Sequence, residues 1–100
     1  MSDEQFLLKN ISVDTNGDGL RTDGSEKTVS VWGTSFGGGT VAIQASPDSG
    51  TTWITLTEAG TPIAITSNEI KKIDHLGQGM LIRATLAGSS GASGVYVKIN

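Results

Sequence analysis

The feature that most constrains this chain is a regular alternation of apolar and polar residues in short runs. Every second side chain is apolar between residues 80 and 87, and the pattern recurs over residues 28–33, 40–45 and 93–100. A period of two places the apolar side chains of an extended segment on one face. Turn signals rich in glycine and aspartate separate the runs about every 8–12 residues. The pattern therefore predicts an all-β fold, a small antiparallel β-sandwich or jelly-roll-like body of seven or eight short strands.

The length and the N-terminal sequence predict one domain that follows a short arm. A chain of 100 residues has room for one hydrophobic core. Residues 1–5 are polar and are expected to form a flexible N-terminal arm, with the β-sandwich domain over residues 6–100. A first strand is expected over residues 5–13. The spacing of Leu8 and Ile11 interrupts its alternation, which predicts a bulge or a shorter strand.

Two connections carry specific predictions. The alternating runs 27–34 and 40–45 are joined by a glycine-rich turn at residues 35–39, which predicts a β-hairpin. Six of the thirteen residues in segment 14–26 are Asp or Gly. Asp competes for backbone hydrogen bonds and Gly loses the most entropy on ordering, so this segment is expected to be a loop.

Two further segments are less regular. A third strand is expected over residues 52–57, with its apolar residues on one face. In segment 67–76 apolar residues recur every three positions, and Thr66 with Glu69 fits a capping box. That pattern is compatible with a short helix or with a strand. The β-rich surroundings favour a strand or an irregular crossing.

Composition and charge disfavour several classes of function. The chain has no cysteine, one histidine (His75) and a formal net charge of -3. Thiol chemistry and multi-histidine metal sites are therefore not expected, and acid–base catalysis has few candidate groups. Nucleic-acid binding is not expected, because phosphate contacts need clustered Lys and Arg. Membrane insertion is not expected either, since no apolar run approaches about 20 residues. The prediction is a protein that is not an enzyme.

Residues 46–53 carry the sharpest local motif. They match the pattern Ser-x-Asp-x-Gly-x-x-Trp through Ser46, Asp48, Gly50 and Trp53, and this pattern resembles the Asp-box turn of many β proteins. A short Asp side chain can accept backbone N–H bonds across a turn, Gly permits positive φ, and the Trp ring packs over the strands. The motif predicts a structural turn.

A second acidic segment resembles the beginning of a calcium-binding loop. Asp14, Asn16 and Asp18 alternate with other residues, and such oxygen ligands suit a hard cation. The twelfth position of such a loop should be acidic, but Ser25 stands there. An Asx-turn loop is therefore the main prediction. We expect no cofactor, with calcium as the one ion that this loop could take.

The stretch from Val29 to Asn100 is similar to small virion proteins of tailed bacteriophages. The segments that carry the resemblance are residues 31–53, with Trp-Gly before a glycine-rich turn and an Asp-rich turn before Trp, residues 79–86, with Arg-Ala in a strand, and residues 94–99. The resemblance implies a capsid decoration (cement) protein or a small head–tail accessory. It implies location on the virion, the major capsid protein as partner, and a homo-oligomer, most simply a trimer at three-fold positions.

A decoration protein needs a surface that adheres to its neighbours. Polar strands with few charges suit edge pairing with a partner, and the free arm could add to a neighbour in the same way. Aromatic side chains near an exposed turn are candidate anchors, although packing in the core is an equal alternative for them. The candidate interface residues are Met1, Ser2, Asp3, Glu4, Gln5, Trp32 and Phe36.

Two other functions stay open from the sequence. A carbohydrate-binding β-sandwich would need exposed aromatic side chains that form a platform, for example a coplanar pair. A head–tail or tail accessory protein would form rings rather than decorate facets.

Overall fold

The computed structural model describes residues 5–23, 26–73 and 77–100. These ranges contain eleven strands and no helix, and none of them holds a helix that could cross a membrane. The all-β prediction is therefore confirmed. In chain order the strands are β1 (Gln5–Ile11), β2 (Thr15–Asn16), β3 (Leu20–Asp23), β4 (Lys27–Trp32), β5 (Thr40–Ser46), β6 (Ile54–Thr55), β7 (Thr57–Glu58), β8 (Thr61–Pro62), β9 (Glu69–Ile73), β10 (Gln78–Ala87) and β11 (Val95–Ile99).

The strands form two antiparallel sheets around one core. Sheet 1 has the order β1-β11-β4-β9. Sheet 2 has the order β2-β10-β5-β6, and β3 also pairs with β10, so that β2 and β3 share one edge of this sheet. β7 and β8 form a separate small hairpin. If β2 and β3 are counted as one interrupted strand, each sheet has four strand positions.

The strands of sheet 1 are never consecutive along the chain, because each connection from one of them leads away from sheet 1. Along the chain, β1, β4, β9 and β11 belong to sheet 1, and the strands between them belong to sheet 2 or to the small hairpin. Only β5 and β6 follow each other as paired neighbours within sheet 2. Eight strand positions in two sheets with such crossing connections make a jelly roll.

The predicted hairpin between β4 and β5 is wrong for this reason. β4 pairs with β11 and β9 in sheet 1, whereas β5 pairs with β10 and β6 in sheet 2. The connecting residues 33–39 cross the end of the sandwich instead of closing a two-stranded turn. Ser35 forms an isolated bridge with Ser93 on the way. Glycines can serve a crossing as well as a tight turn, so the local sequence did not distinguish the two.

The buried residues confirm the predicted alternation of inward apolar and outward polar side chains. In both sheets the inward residues are almost entirely shielded, and most are Val or Ile, whose branched side chains fill a pleated surface well. One continuous cluster joins the two sheets. Its fully buried members include Val29, Val31, Val95, Val97 and Ile73 from sheet 1 and Val41, Ile43, Ile82, Ala84 and Leu86 from sheet 2.

The segment predicted as a loop at residues 14–26 contains two short strands. Thr15 and Asn16 pair with one end of β10, and Leu20 pairs with Ile82 nearer its other end. The prediction of an irregular loop is wrong for this part because the free edge of β10 supplies backbone partners that local propensity does not reveal. Residues 24 and 25 lie outside the described residues.

The remaining local predictions fared unequally. β9 confirms the strand favoured for segment 67–76, of which residues 74–76, including His75, lie outside the described residues. The third strand is shorter than expected, and its Ile54 is exposed while Leu56 is buried. β1 ends at Ile11 and is irregular in its pairing with β11, as the interrupted alternation predicted.

Gly17 closes the seam between the two sheets, where β1 and β10 come together. Its N–H donates to the carbonyl oxygen of Ala84 at 2.9 Å. A Cβ atom at this position would lie 2.2 Å from the Leu7 carbonyl oxygen and 2.9 Å from that of Ala84. Both neighbours are backbone atoms of core strands, so they cannot move aside at low cost.

We therefore expect Gly17→Ala to lower the free energy of unfolding by about 2 kcal/mol or more, measured by urea denaturation. Gly60→Ala is a useful control. Gly60 has a φ of 82° with no atom within 4 Å of a Cβ, so that variant reports only the backbone strain of about 1 kcal/mol. Equal losses for the two variants would contradict the role of Gly17 in closing the seam.

Candidate functional site

An aromatic cluster covers part of the outer face of sheet 1. Trp32 of β4 and Tyr96 of β11 are directly opposed across the two strands. Their rings stack with centroids 5.2 Å apart and an interplanar angle of 5°. Phe6 of β1 completes the cluster at 6.3 Å from Trp32 and 6.0 Å from Tyr96, with its ring tilted against both. Strand pairing and the outward phase of all three residues place them together.

One side of the Trp32 ring remains open. β4 lies between β11 and β9 in the sheet, and Tyr96 covers the ring on the β11 side. On the β9 side a shallow groove of about 460 Å³ borders Trp32, Asn68, Glu69 and Ile70. Trp32 is 37% exposed and Ile70 is 74% exposed. The aromatic cluster, the groove and Ile70 together form an apolar strip across sheet 1, which we call the sheet 1 face.

The structure separates the two aromatic anchors proposed from the sequence. Trp32 lies on the sheet 1 face. Phe36 is 9% exposed and belongs to the core cluster, which agrees with the alternative of core packing rather than with an anchor. It is buried because the connection between β4 and β5 crosses the open end of the sandwich, where a large apolar side chain fills the space between the sheets.

The predicted N-terminal arm can be placed only at its last residue. Gln5 lies in β1, where it pairs with Ile99 of β11, so the structure assigns it to the domain. Met1, Ser2, Asp3 and Glu4 lie outside the described residues.

The Asp-box-like turn forms as its motif predicts, with Ser46 at its centre. The Ser46 side chain is fully buried, and its Oγ accepts a hydrogen bond from the Gly50 N–H at 2.8 Å and donates one to Asp48 Oδ1 at 2.8 Å. Asp48 Oδ1 also accepts the Thr52 N–H at 2.8 Å. Hydrogen bonds from Thr52, and then from Ser46, lower the pKa of Asp48 below its ordinary value because they stabilise the carboxylate.

Trp53, the last residue of the motif, packs on the outer face of sheet 2. The Arg83 guanidinium lies over its ring at 4.3 Å from the centroid, and Arg83 Nε donates to Gln44 Oε1 at 2.8 Å. The far edge of the ring is so close to Gly19 that a Cβ there would lie 3.0 Å from Trp53 Cη2. Trp53 therefore packs across three neighbouring segments and serves the fold.

In the segment that resembles a calcium loop, the first carboxylate is already hydrogen-bonded to another part of the chain. Asp14 accepts hydrogen bonds from the Gly88 N–H at 3.0 Å and the Ser89 N–H at 2.9 Å, and also from the Ser89 hydroxyl. The bonds from Ser89 lower the pKa of Asp14. Asn16 lies in β2 and is exposed, as is Asp18. In the described part of the chain no three His, Cys, Asp or Glu residues form a group that could hold a metal. Calcium binding stays a prediction.

Sequence reasoning found Trp32 but not the surface around it. The outward phase of Tyr96 and Trp32 was visible in their alternating runs. What the sequence could not supply was the pairing of β4 with β11, which brings residues 64 positions apart into contact. Ile70 carried no signal of exposure, because its recurrence with Ile73 was equally compatible with a buried helix face.

We expect Ser46→Ala to lower the free energy of unfolding by about 2 kcal/mol, since it removes the partner of the Gly50 N–H and the donor to Asp48 at a buried site. Thermal and urea unfolding measure the loss. Ser49→Ala is the matched control, because Ser49 is an exposed serine of the same turn. A Ser46→Ala variant as stable as the control would contradict the central position of Ser46.

The pKa of Asp48 also predicts an acid dependence of stability. A carboxyl whose pKa is lower in the folded than in the unfolded state stabilises the fold above its unfolded value of about 3.8, and this contribution is lost as the pH falls through the folded pKa. The melting temperature should therefore drop between pH 5 and the folded pKa. Asp48→Asn, which keeps the shape without the charge, should reduce that drop. If the variant shows the same pH profile as the native protein, Asp48 is not the source of the acid dependence.

Comparison with known proteins does not assign the chain to a family. No protein-family model, curated protein or solved structure matches the chain.

Proposed function

We propose that this protein is a structural virion protein, a capsid decoration (cement) protein that binds the outer surface of the major capsid protein lattice and stabilises it. The observation that carries the proposal is the sheet 1 face. Trp32 and Ile70 leave substantial apolar surface in water there, beside a groove and on a regular sheet. Large apolar side chains around a depression are typical anchors of protein–protein interfaces.

The position of these anchors favours attachment without rearrangement. Tyr96 and Phe6 pack against Trp32 on one side, so its ring is held in place before a partner arrives. A side chain that is already ordered loses little entropy on binding. Each copy can then bind weakly, because a repeating shell offers many sites and an oligomer that spans several subunits adds their contributions.

The proposal includes the oligomeric state. A trimer would match the three-fold positions of a shell lattice and present three sheet 1 faces at once. A head–tail or tail accessory protein is the alternative within the same class, and it would bind at one vertex rather than over the facets.

A carbohydrate-binding module remains the alternative from a different class. The flat platforms that hold polysaccharide surfaces need rings side by side. Here Tyr96 and Trp32 are parallel but stacked, with centroids 5.2 Å apart, so each covers a face of the other. That arrangement favours an edge-on protein anchor over a flat sugar platform.

The test is reconstitution on shells that lack the protein, followed by electron microscopy. The native protein should add density over the facets, and Trp32→Ala or Ile70→Ser should weaken attachment at least about tenfold, as expected for interface anchors. Ile54→Ser is the matched control, since Ile54 is an exposed isoleucine of sheet 2, 54% exposed against 74% for Ile70.

Density at one vertex would favour the accessory alternative. Attachment that is unchanged in both Trp32→Ala and Ile70→Ser would remove the sheet 1 face from the proposal. Sedimentation velocity of the free protein checks the trimer separately, because a monomer at micromolar concentration would contradict it.

A further inference from the structure

The charges at the Phe6 end of the sheet 1 face differ in sign from the protein as a whole. The chain has a formal net charge of -3. In the described part of sheet 1 the ionisable residues in the outward register are lysines: Lys98 on β11 lies between Phe6 and Ser30 in the strand pairing, and Lys72 lies opposite Thr28. Glu69 also borders the groove, but its carboxylate lies 3.3 Å from Lys71 Nζ and so has a cationic partner. Lys9 adds to them, with its Nζ 5.4 Å from the centre of the Phe6 ring.

These lysines differ in whether a carboxylate of the chain pairs with their charge. Lys72 Nζ lies 3.1 Å from a Glu26 carboxylate oxygen at the surface, so its charge has a partner within the chain. Lys9 and Lys98 form no ion pair with a carboxylate of the described residues. Lys98 pairs with Phe6 in the strand register and the Lys9 ammonium lies beside the Phe6 ring, so both charges stand at the Phe6 end of the apolar strip.

Docking through the strip would change the surroundings of these two charges. A partner that covers Trp32 and the neighbouring Phe6 also removes water from the positions beside them. Removing water from an ammonium is unfavourable unless an opposite charge meets it, whereas a carboxylate placed there restores the balance and guides the approach. An apolar or basic partner surface would leave Lys98 without a counterpart.

Resting on the proposed function, we propose that the capsid surface bound by the sheet 1 face is acidic, with an apolar centre that receives Trp32 and Ile70 and with Asp or Glu carboxylates that pair with Lys9 and Lys98. The chemistry is that of a protein–protein contact whose apolar part holds the complex and whose charges set its register and speed. A shell with a negative outer surface would attract this side of an otherwise acidic protein and repel the rest of it, so the charges also orient the approach.

The experiment measures attachment to the same shells at about 50 mM and about 500 mM sodium chloride, where screening differs several-fold. The native protein should bind more weakly at the higher salt. Lys98→Glu should weaken attachment at low salt by about tenfold or more, with Lys98→Gln in between, and the gap between variants should narrow at high salt. Arg21→Glu makes the same charge change at an exposed residue of sheet 2 and should bind as the native protein does.

The outcomes separate this inference from the proposed function. If Ile70→Ser fails to attach while Lys98→Glu binds like the native protein at both salt concentrations, the sheet 1 face stands and the acidic partner is refuted. If both variants attach normally, the sheet 1 face is not the attachment surface and this inference fails with it, whereas the proposed function itself fails if the native protein adds no density to the shells. Tighter binding by Lys98→Glu would show a basic partner surface and overturn the inference as well. Circular dichroism and melting curves of each variant confirm that it is folded before binding is compared.

Discussion

Burial of branched side chains between the two sheets is the interaction on which the whole structure depends. Because the connections cross from sheet to sheet, neither sheet can be completed before the other exists. β4 has its neighbours β11 and β9 far away in sequence, and β10 likewise depends on β5 and on the edge segments. The shared core therefore fixes both sheets at once, and most of its pairings are non-local, which is the kind of topology that folds slowly.

The two tryptophans lie on opposite outer faces of the sandwich and have different surroundings. Both Trp32 and Trp53 lie outside the core. Trp53 is bent back by the Asp-box-like turn and packs with Arg83 over sheet 2, where even the outward Thr85 is only 7% exposed. Trp32 rests on Tyr96, and on its other side it borders the groove and stays 37% exposed. Trp53 is thus held by contacts within its own sheet, whereas Trp32 keeps apolar surface exposed on the sheet 1 face.

The parts that sequence reasoning predicted are those whose physics is local. Alternation located β4, β5, β10 and β11, since a period of two needs no knowledge of neighbours. The turn at Ser46 and Asp48 was equally accessible, because all its hydrogen bonds lie within residues 46–52. Trp53 is different, since its contacts with Gly19 and Arg83 depend on sheet pairing, and so only its presence could be anticipated.

The errors share one cause, which is that sequence patterns do not say which strands become neighbours. The glycine-rich segment after Trp32 was taken for a hairpin turn because a turn and a crossing use the same residues. Segment 14–26 was expected to be irregular on propensity, but the backbone groups at the edge of β10 outweigh propensity. Phe36 follows from the same error: beside a hairpin turn it would be exposed, whereas at a crossing it fills the end of the core.

The edges of sheet 1 explain why a partner should meet its face rather than extend it. β1 is irregular along its pairing with β11, and Asn10 has a φ of 54°, so this edge is not a straight template for another strand. On β9, Lys71 Nζ contacts Glu58 at 2.8 Å and Glu69 at 3.3 Å. These bonds raise the pKa of Lys71.

A charged network along an edge strand opposes the addition of a further strand, because the newcomer would have to displace or desolvate it. The sequence suggested that a partner strand could pair with an edge of the sheet. Both edges of sheet 1 disfavour such pairing. Contact through the outer face of the sheet does not require pairing at either edge. There Trp32 and Ile70 stand beside a shallow groove, and contact through side chains needs no new backbone hydrogen bonds. Under the proposed function, the features that hinder pairing at both edges therefore leave the outer face of sheet 1 as the surface for the capsid protein.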